Sequence, residues 1–305
     1  MIDPLAEVVT LLQPSARFSK LVFGASPWHV NRSDTGQPFY CVILEGGCRI
    51  AIDGHEPLEL ISGDFVLIPA AYGVAMSSLV PPSPNVETLA PIALGNNEFR
   101  LGDPDRSIDA RMMAGHCSFG SPDASLLVSL LPQLVHVRGE QRLATLVQLV
   151  RDETREQRPA REVVLSRLLE VLLIEALRSA ATTDAPPGLV RGLSDGRLAA
   201  AIRGMHEHPT RAWTVAELAR KAALSRSAFF ERFSRAVGVA PMEYLLTWRM
   251  ALAKDLLRRN EGRVAEIAQR VGYGSASTFS VAFTRHVGRP PTQYAREEQA
   301  AASGT

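Results

Sequence analysis

The sequence predicts an α+β chain: a small N-terminal β-barrel with helices after it, then an all-α domain of two helix-turn-helix units joined by a linker helix. Three observations carry this expectation. Residues 16 to about 118 fall into short apolar runs separated by Gly, Pro and Asp, the texture of an antiparallel barrel or sandwich. From residue 126 apolar residues return at three- and four-residue intervals, the helical period. The last third of the chain contains one segment twice.

The strands come first. FYCVILE at 39–45 and CRIAID at 48–53 flank Gly46-Gly47, which reads as a hairpin with Cys48 opposite Ile43 or Glu45. Residues 58–61 follow Gly54, and a Ser62-Gly63-Asp64 turn leads to 65–68, stopped by Pro69. Pro81, Pro82 and Pro84 mark a loop. Side chains alternate across a strand, so either Tyr40, Val42 and Leu44 or Cys41 and Ile43 line the interior. A barrel this small has room for one small ligand.

Residues 126–135, 143–156 and 163–181 read as helices. The third carries Val164, Leu165, Leu168, Leu169, Leu172 and Ala176 on one side and Val171 and Ile174 on another. Two apolar sides need two partners: the barrel, a second subunit, or both. Arg167, Glu170, Glu175 and Arg178 interrupt the run, which excludes a membrane span. AATTDAPPG at 180–188 reads as a linker.

The repeat is the most informative feature. VAELA at 215–219 returns as VAEIA at 264–268, an offset of 49. Phe229, Phe233, Arg235, Val237, Gly238, Pro241 and Tyr244 return as Phe279, Phe283, Arg285, Val287, Gly288, Pro291 and Tyr294, an offset of 50. One residue has entered between, around 272–275. A helix interior resists that insertion because its face would turn by about 100°, so the extra residue belongs in a turn. Thr214 and Glu217 form a capping box. Ser225, and Ser275 or Ser277, suit the start of the second helix in each copy, and Gly238 and Gly288 its end. Each copy is helix, short turn, helix. Between them, residues 242–259 read as one helix with Tyr244, Leu245, Trp248, Leu252 and Leu256 along one side.

Charge agrees with this division. Residues 1–190 carry 15 Lys and Arg against 22 Asp and Glu, a net −7, whereas residues 191–305 carry 18 against 10, a net +8. The basic half is the repeated half, which points to nucleic acid. Turned at about 100° per residue, the second helix of the first copy buries Phe229, Phe233 and Ala236. It presents Ser227, Glu231 and Ser234, flanked by Phe230 and Arg235. In the second copy Ser277, Val281 and Thr284 face out, flanked by Ser280 and Arg285. Short side chains suit a helix lying in the major groove. Glu231 is suited to accept from a cytosine amino group and Phe230 to meet a thymine methyl, while the serines serve either base type. Arg226, Arg235 and Arg285 are placed as phosphate anchors. Two such helices held about 34 Å apart reach successive major-groove segments of one duplex.

TVAELARKAALSRSAFFERFSRAVGVAPMEYLLTWRMALAKDLL and VAEIAQRVGYGSASTFSVAFTRHVGRPPTQY together resemble the DNA-binding domain of the AraC/XylS family of transcriptional regulators, over residues 195–295. VILEGGCRIAIDG and LELISGDFVLIPAAYG resemble the cupin-type sensor barrel carried by one branch of that family. GHCSFG, LLVSLLPQLVHV and VVLSRLLEVLLIEALR resemble the segments that follow it, including the helices generally assigned to dimerisation. The resemblance implies a homodimer that binds promoter or operator DNA, recruits or blocks RNA polymerase, and responds to a small-molecule effector. It also implies the boundaries: a cupin-like barrel at 1–120, a dimerising helical segment at 121–182, a linker at 183–194, the DNA-binding domain at 195–296 and a disordered tail at 297–305.

Two other functions compete. Metal-dependent cupins place a His pair and a Glu on one strand and a further His on a later one. Here the matching strand reads Phe39-Tyr40-Cys41, the later one Ala70-Ala71-Tyr72-Gly73, and His29, His55, His116 and His136 are scattered. No cofactor and no enzymatic activity are therefore expected, against the alternative of a metal-dependent cupin enzyme with a DNA-binding tail. A thiol switch is the second alternative. Strand rise puts Cys41 and Cys48 roughly 7–14 Å apart in the hairpin, beyond disulfide reach, and only Arg49 stands near to acidify Cys48. Buried structural cysteines are the expectation, Cys117 included. Acidic residues at Asp3 and Glu7, with no base before Arg17, do not make a secretory leader, so a cytoplasmic protein is expected.

Overall fold

The computed structural model describes residues 2–32, 38–53, 56–69, 73–80, 90–95, 97–119, 127–156, 158–179 and 187–303. The expected loop at Pro81–Pro84, His55, residues 70–72 and most of the 180–188 linker lie outside them. The chain divides into two compact units. One holds Gln13–Pro122 and Pro132–Pro186; the other holds Met1–Leu12, Asp123–Leu131 and Pro187–Thr305.

The first unit contains strands β1 (Pro14–Ala25), β2 (His29–Arg32), β3 (Phe39–Glu45), β4 (Gly47–Ile52), β5 (Leu58–Ile61), β6 (Asp64–Ile68), β7 (Val74–Ser77), β8 (Ile92–Gly95), β9 (Glu98–Gly102), β10 (Ala110–Phe119) and β11 (Val135–Arg138). They form a seven-stranded sheet, β11-β6-β3-β10-β1-β9-β8, and a four-stranded one, β2-β7-β4-β5. One core joins the two. Cys41 and Ile43, Val66 and Ile68, and Met112 and Ala114 come from the larger sheet; Cys48, Ile50, Ile52, Leu60 and Met76 come from the smaller. The interior set on β3 is thus Cys41 and Ile43. Tyr40 and Val42 are buried as well, and helices α2 (Gln141–Arg155) and α3 (Arg161–Ser179) pack on the same sheet.

The expected hairpin at Gly46-Gly47 does not form. β3 pairs with β10 and β6, and β4 with β5 and β7. Gly46, at φ +69°, turns the chain from one sheet to the other. A Cβ there would stand 2.0 Å from the carbonyl oxygen of Asp109, so the corner admits glycine alone. Cys41 on β3 and Cys48 on β4 thus stand on different sheets, both facing the shared core. The strand-level spacing argued for the two cysteines falls with the hairpin.

The helix expected at 126–135 is also replaced. Leu127 and Val128 are helical, Ser129 and Leu130 form a turn, and β11 begins at Val135. β11 is held to β6 by buried Asp64, which accepts from the Ile61 amide at 3.1 Å and from Arg138 Nε at 2.9 Å. Burial alone would raise the Asp64 carboxyl; the hydrogen bonds from Arg138, Ile61 and His136 outweigh it and hold it below the ordinary carboxylate value.

The second unit is helical: α1 (Pro4–Leu12), α4 (Leu189–Ser194), α5 (Gly196–Glu207), α6 (Val215–Lys221), α7 (Arg226–Val237), α8 (Pro241–Arg258), α9 (Val264–Arg270), α10 (Ala276–Val287) and α11 (Pro291–Ser303). Three boundaries differ from expectation. α4 occupies half of the 183–194 linker. α11 continues through the residues expected as a disordered tail, because Gln293 and Arg289 both bind Glu297 across its exposed side and Tyr294 anchors its buried one. Residues 1–12, expected with the barrel, belong to this unit. Asp3 caps α1, accepting from the Leu5 amide at 3.0 Å, and the helix buries Leu5, Val8, Val9 and Leu12. Among the described residues no helix is long and apolar enough to cross a membrane.

Candidate nucleic-acid interface

The two copies share most of the hydrogen bonds at their helix boundaries. In the first, the Thr214 amide donates to Glu217 at 2.9 Å while the Glu217 amide donates to the Thr214 hydroxyl at 3.2 Å. In the second, the Arg263 amide donates to Glu266 at 2.9 Å. Ser225 and Ser275 cap the second helices, accepting from the Ala228 and Thr278 amides at 3.3 and 3.2 Å. Gly238 and Gly288 end them at φ +88° and +84°, the left-handed stop that glycine makes without strain.

The turns show where the extra residue entered. The Leu224 amide donates to Ala219 and the Tyr273 amide to Ala268, at 2.9 and 2.8 Å. The offset of 49 therefore holds through Tyr273 and becomes 50 at the Ser275 cap. The inserted residue is Gly274, inside the turn.

Aromatic packing repeats too. Phe229 and Phe233 lie 5.5 Å apart, as do Phe279 and Phe283. Tyr244 then meets Phe233 edge-on at 5.8 Å, and Tyr294 meets Phe283 edge-on at 5.6 Å. Offset and edge-on contacts are the favoured ring geometries, so each second helix sits on its support in one orientation. α8 buries Tyr244, Leu245 and Trp248 on the first copy and Met250, Ala253 and Leu257 toward the second. A single helix therefore contributes to both cores.

The outward faces of α7 and α10 carry the residues the sequence singled out. Arg226, Ser227, Glu231 and Arg235 are exposed, and Phe230 keeps 45% of its surface in solvent. On α10, Ser277 and Arg285 are exposed, Val281 is 70% exposed, and Ser280 and Thr284 are half-buried. An aromatic ring and a valine on open faces are unexplained by folding. Ser234 departs from expectation: its hydroxyl is covered, without a hydrogen-bond partner among the described residues. A helical wheel treats the helix as isolated, and packing around α7 covers that atom.

The cations divide into two groups. Among the described residues Arg226, Arg235 and Arg285 make no ion pair, and the Glu231 carboxylate engages no donor. Arg232 and Arg270 are neutralised by Asp195 and Glu261, at 2.5 and 3.1 Å. Arg249 donates to the carbonyls of Pro209 and Arg211 at 2.8 and 2.7 Å, fixing the segment before α6 against α8. Sequence reasoning passed over Asp195 and Arg249, although the Asp-Gly step before α5 is a helix-start signal.

A second omission is the buried His206. Its Nδ1 lies 2.7 Å from Glu7 Oε2 and its Nε2 lies 2.7 Å from the Tyr244 hydroxyl, while its ring stacks on Trp248 at 4.0 Å. A carboxylate only accepts, so Nδ1 carries the proton and Tyr244 donates to Nε2. Burial lowers the His206 pKa despite Glu7, which keeps the ring neutral. Partners 199 positions apart leave no local signal.

In the first unit, burial pushes the Cys48 thiol up to about 12, with the Asp64 charge adding to it. Cys41 and Cys48 are buried and neither is in a disulfide. Among the described residues no three His, Cys, Asp or Glu side chains gather as a metal site would require.

Comparison with known proteins adds the following. A cupin family model matches residues 3–182, and a helix-turn-helix domain model matches residues 218–297. A putative AraC-like transcription regulator of Streptomyces lividans is 34% identical over 96% of this chain and 97% of its own length. The HTH-type transcriptional regulator AlkR of Acinetobacter baylyi is 30% identical over 84% of this chain and 87% of its own. Among solved structures, the DNA-binding domain of AdpA in complex with a target DNA is 32% identical, with a TM-score of 0.33, covering 34% of this chain and 93% of that one.

Proposed function

Since the chain belongs to the AraC/XylS family of transcriptional regulators, we propose that it reads a specific DNA site with α7 and α10 and alters transcription from a neighbouring promoter. The observation that carries this reading is the pairing of two short-chained, exposed helix faces with cations left free beside them. Glu231 accepts from a cytosine amino group, Phe230 contacts a thymine methyl, and Ser227, Ser277 and Ser280 complete the base contacts with Thr284 and Val281. Arg226, Arg235 and Arg285 bind phosphates. The α10 face lacks a long polar side chain, so its discrimination is the weaker.

Control comes from the first unit. A small cavity of about 40 Å³, lined by Val22, Trp28, Phe39, Met112 and Lys20 among others, marks where a small, largely apolar effector enters once these side chains part to widen it. Val163, Val164 and Val171, exposed on α3, support pairing of two chains. RNA polymerase is the partner at the promoter, and the cytoplasm is the compartment where all these components meet.

Selecting bound sequences from a random duplex pool tests the reading. A recovered site with two motifs one helical turn apart supports it; recovery of unrelated sequences, bound no tighter than the starting pool, refutes it.

A further inference from the structure

Asp195 divides its two carboxylate oxygens between two tasks. Oδ1 caps α5, accepting from the Arg197 and Leu198 amides at 3.1 and 3.5 Å. Oδ2 accepts from Arg232 Nε at 2.5 Å. The carboxylate is largely buried, with 17% of the side chain in solvent, whereas Arg232 is 51% exposed. The guanidinium is thus held at the surface of the helix that carries Glu231.

Arg232 lies about 60° around α7 from Arg235 at 100° per residue, on the same flank as that free cation. Its counterpart in the second copy is Ala282, which follows Val281 as Arg232 follows Glu231. An arginine beside a reading helix adds affinity for every duplex alike, because phosphate contacts carry no sequence information. Masking that charge removes pull without touching the base-reading face. The mask costs the fold little, since the same carboxylate also serves as the helix cap.

We propose that Asp195 is a specificity-determining residue: it sequesters Arg232 from the DNA backbone, so that the first reading helix discriminates through Glu231 and Phe230 rather than through charge. The proposal rests on α7 lying in the groove. It makes Arg232 the one arginine of that helix whose loss leaves DNA binding unchanged and whose release weakens selectivity.

The experiment is the salt dependence of binding to a non-specific duplex, measured by fluorescence anisotropy on the full chain between 50 and 200 mM NaCl. Asp195→Asn keeps the oxygen that caps α5 and sets an amide against the guanidinium. Its slope of log affinity against log salt is expected to steepen by about 0.9, roughly a 3.5-fold larger loss across that range. Affinity for the selected site should exceed non-specific affinity by a smaller factor than in the wild type. Arg232→Ala should keep the wild-type slope, and Asp195→Asn combined with Arg232→Ala should restore it.

An unchanged slope in folded Asp195→Asn overturns the proposal, as does a shallower slope in Arg232→Ala, which would show that residue on a phosphate already. If Asp195→Asn does not fold, Arg232→Ala alone decides. Arg235→Ala separates this inference from the reading beneath it. Should α7 not lie on DNA, Arg235→Ala leaves the slope unchanged too; should only the masking be wrong, Arg235→Ala still loses about one phosphate contact.

Discussion

Ala223 and Gly272 hold the same left-handed backbone position in two copies of one turn, at φ +51° and +86°. The second copy uses the residue that geometry favours. The first uses an alanine, whose Cβ opposes the following carbonyl in that region.

Ala223→Gly is accordingly expected to stabilise the protein by about 0.5–1 kcal/mol, the relief of left-handed strain less the added freedom of the unfolded chain. Gly272→Ala should go the other way and further, because its Cβ would stand 2.7 Å from the Pro209 carbonyl oxygen and 2.8 Å from the Arg249 guanidinium. Urea midpoints of the two variants measure both. A lower midpoint for Ala223→Gly would show that the turn is not strained.

On the reading face, two substitutions should differ in kind. Arg235→Ala is expected to weaken binding to all sequences alike and to reduce the salt slope by about 1. Glu231→Ala should instead relax preference at one position by about 1–3 kcal/mol. Parallel titrations against a panel of single-base variants separate the outcomes, and uniform weakening by Glu231→Ala would remove it from the base contacts.

His206 predicts a dependence of stability on pH. Its folded pKa lies below the unfolded value, so below roughly pH 6.5 the unfolded chain binds the proton that the folded chain resists. Stability from the neutral ring is complete above that pH and is lost as pH falls through this window. The melting temperature should therefore drop less between pH 7.5 and 5.5 in His206→Gln than in the wild type. An equal drop in both would assign the titration elsewhere.

Cys48 should behave as a packing residue. With its thiol pushed up to about 12, the thiolate that reacts is scarce at neutral pH. Alkylation at pH 8 is expected only after denaturation, and Cys48→Ser should leave the response of DNA binding to oxidant unchanged. Prompt labelling of Cys48 in the native protein would reopen the thiol-switch reading.

Local chemistry was readable from residues alone. Strand runs such as FYCVILE, the caps at Thr214 and Ser225, the glycine stops and the inserted turn residue each depend on neighbours within a few positions, and the structure places them as expected. What escaped were choices of distant partner. Gly46-Gly47 signals a turn whichever sheet the next strand joins. LLVSLLPQLV has helical spacing, yet Asp64 claims the residues just after it for a strand. The hydroxyl of Ser234 is outward on an isolated helix and covered in a packed one. Arg232 looks like any other arginine until Asp195 is brought to it.

The hydrogen bond between His206 and Glu7 bears on how this regulator can be dissected. A fragment beginning at the helix-turn-helix region would leave behind a segment on which that region folds. It would also expose the place on α5 where α1 packs, with the Nδ1 proton of a buried imidazole left unclaimed. Residues 2–12 belong in any such fragment, joined by a short tether or added back as a peptide.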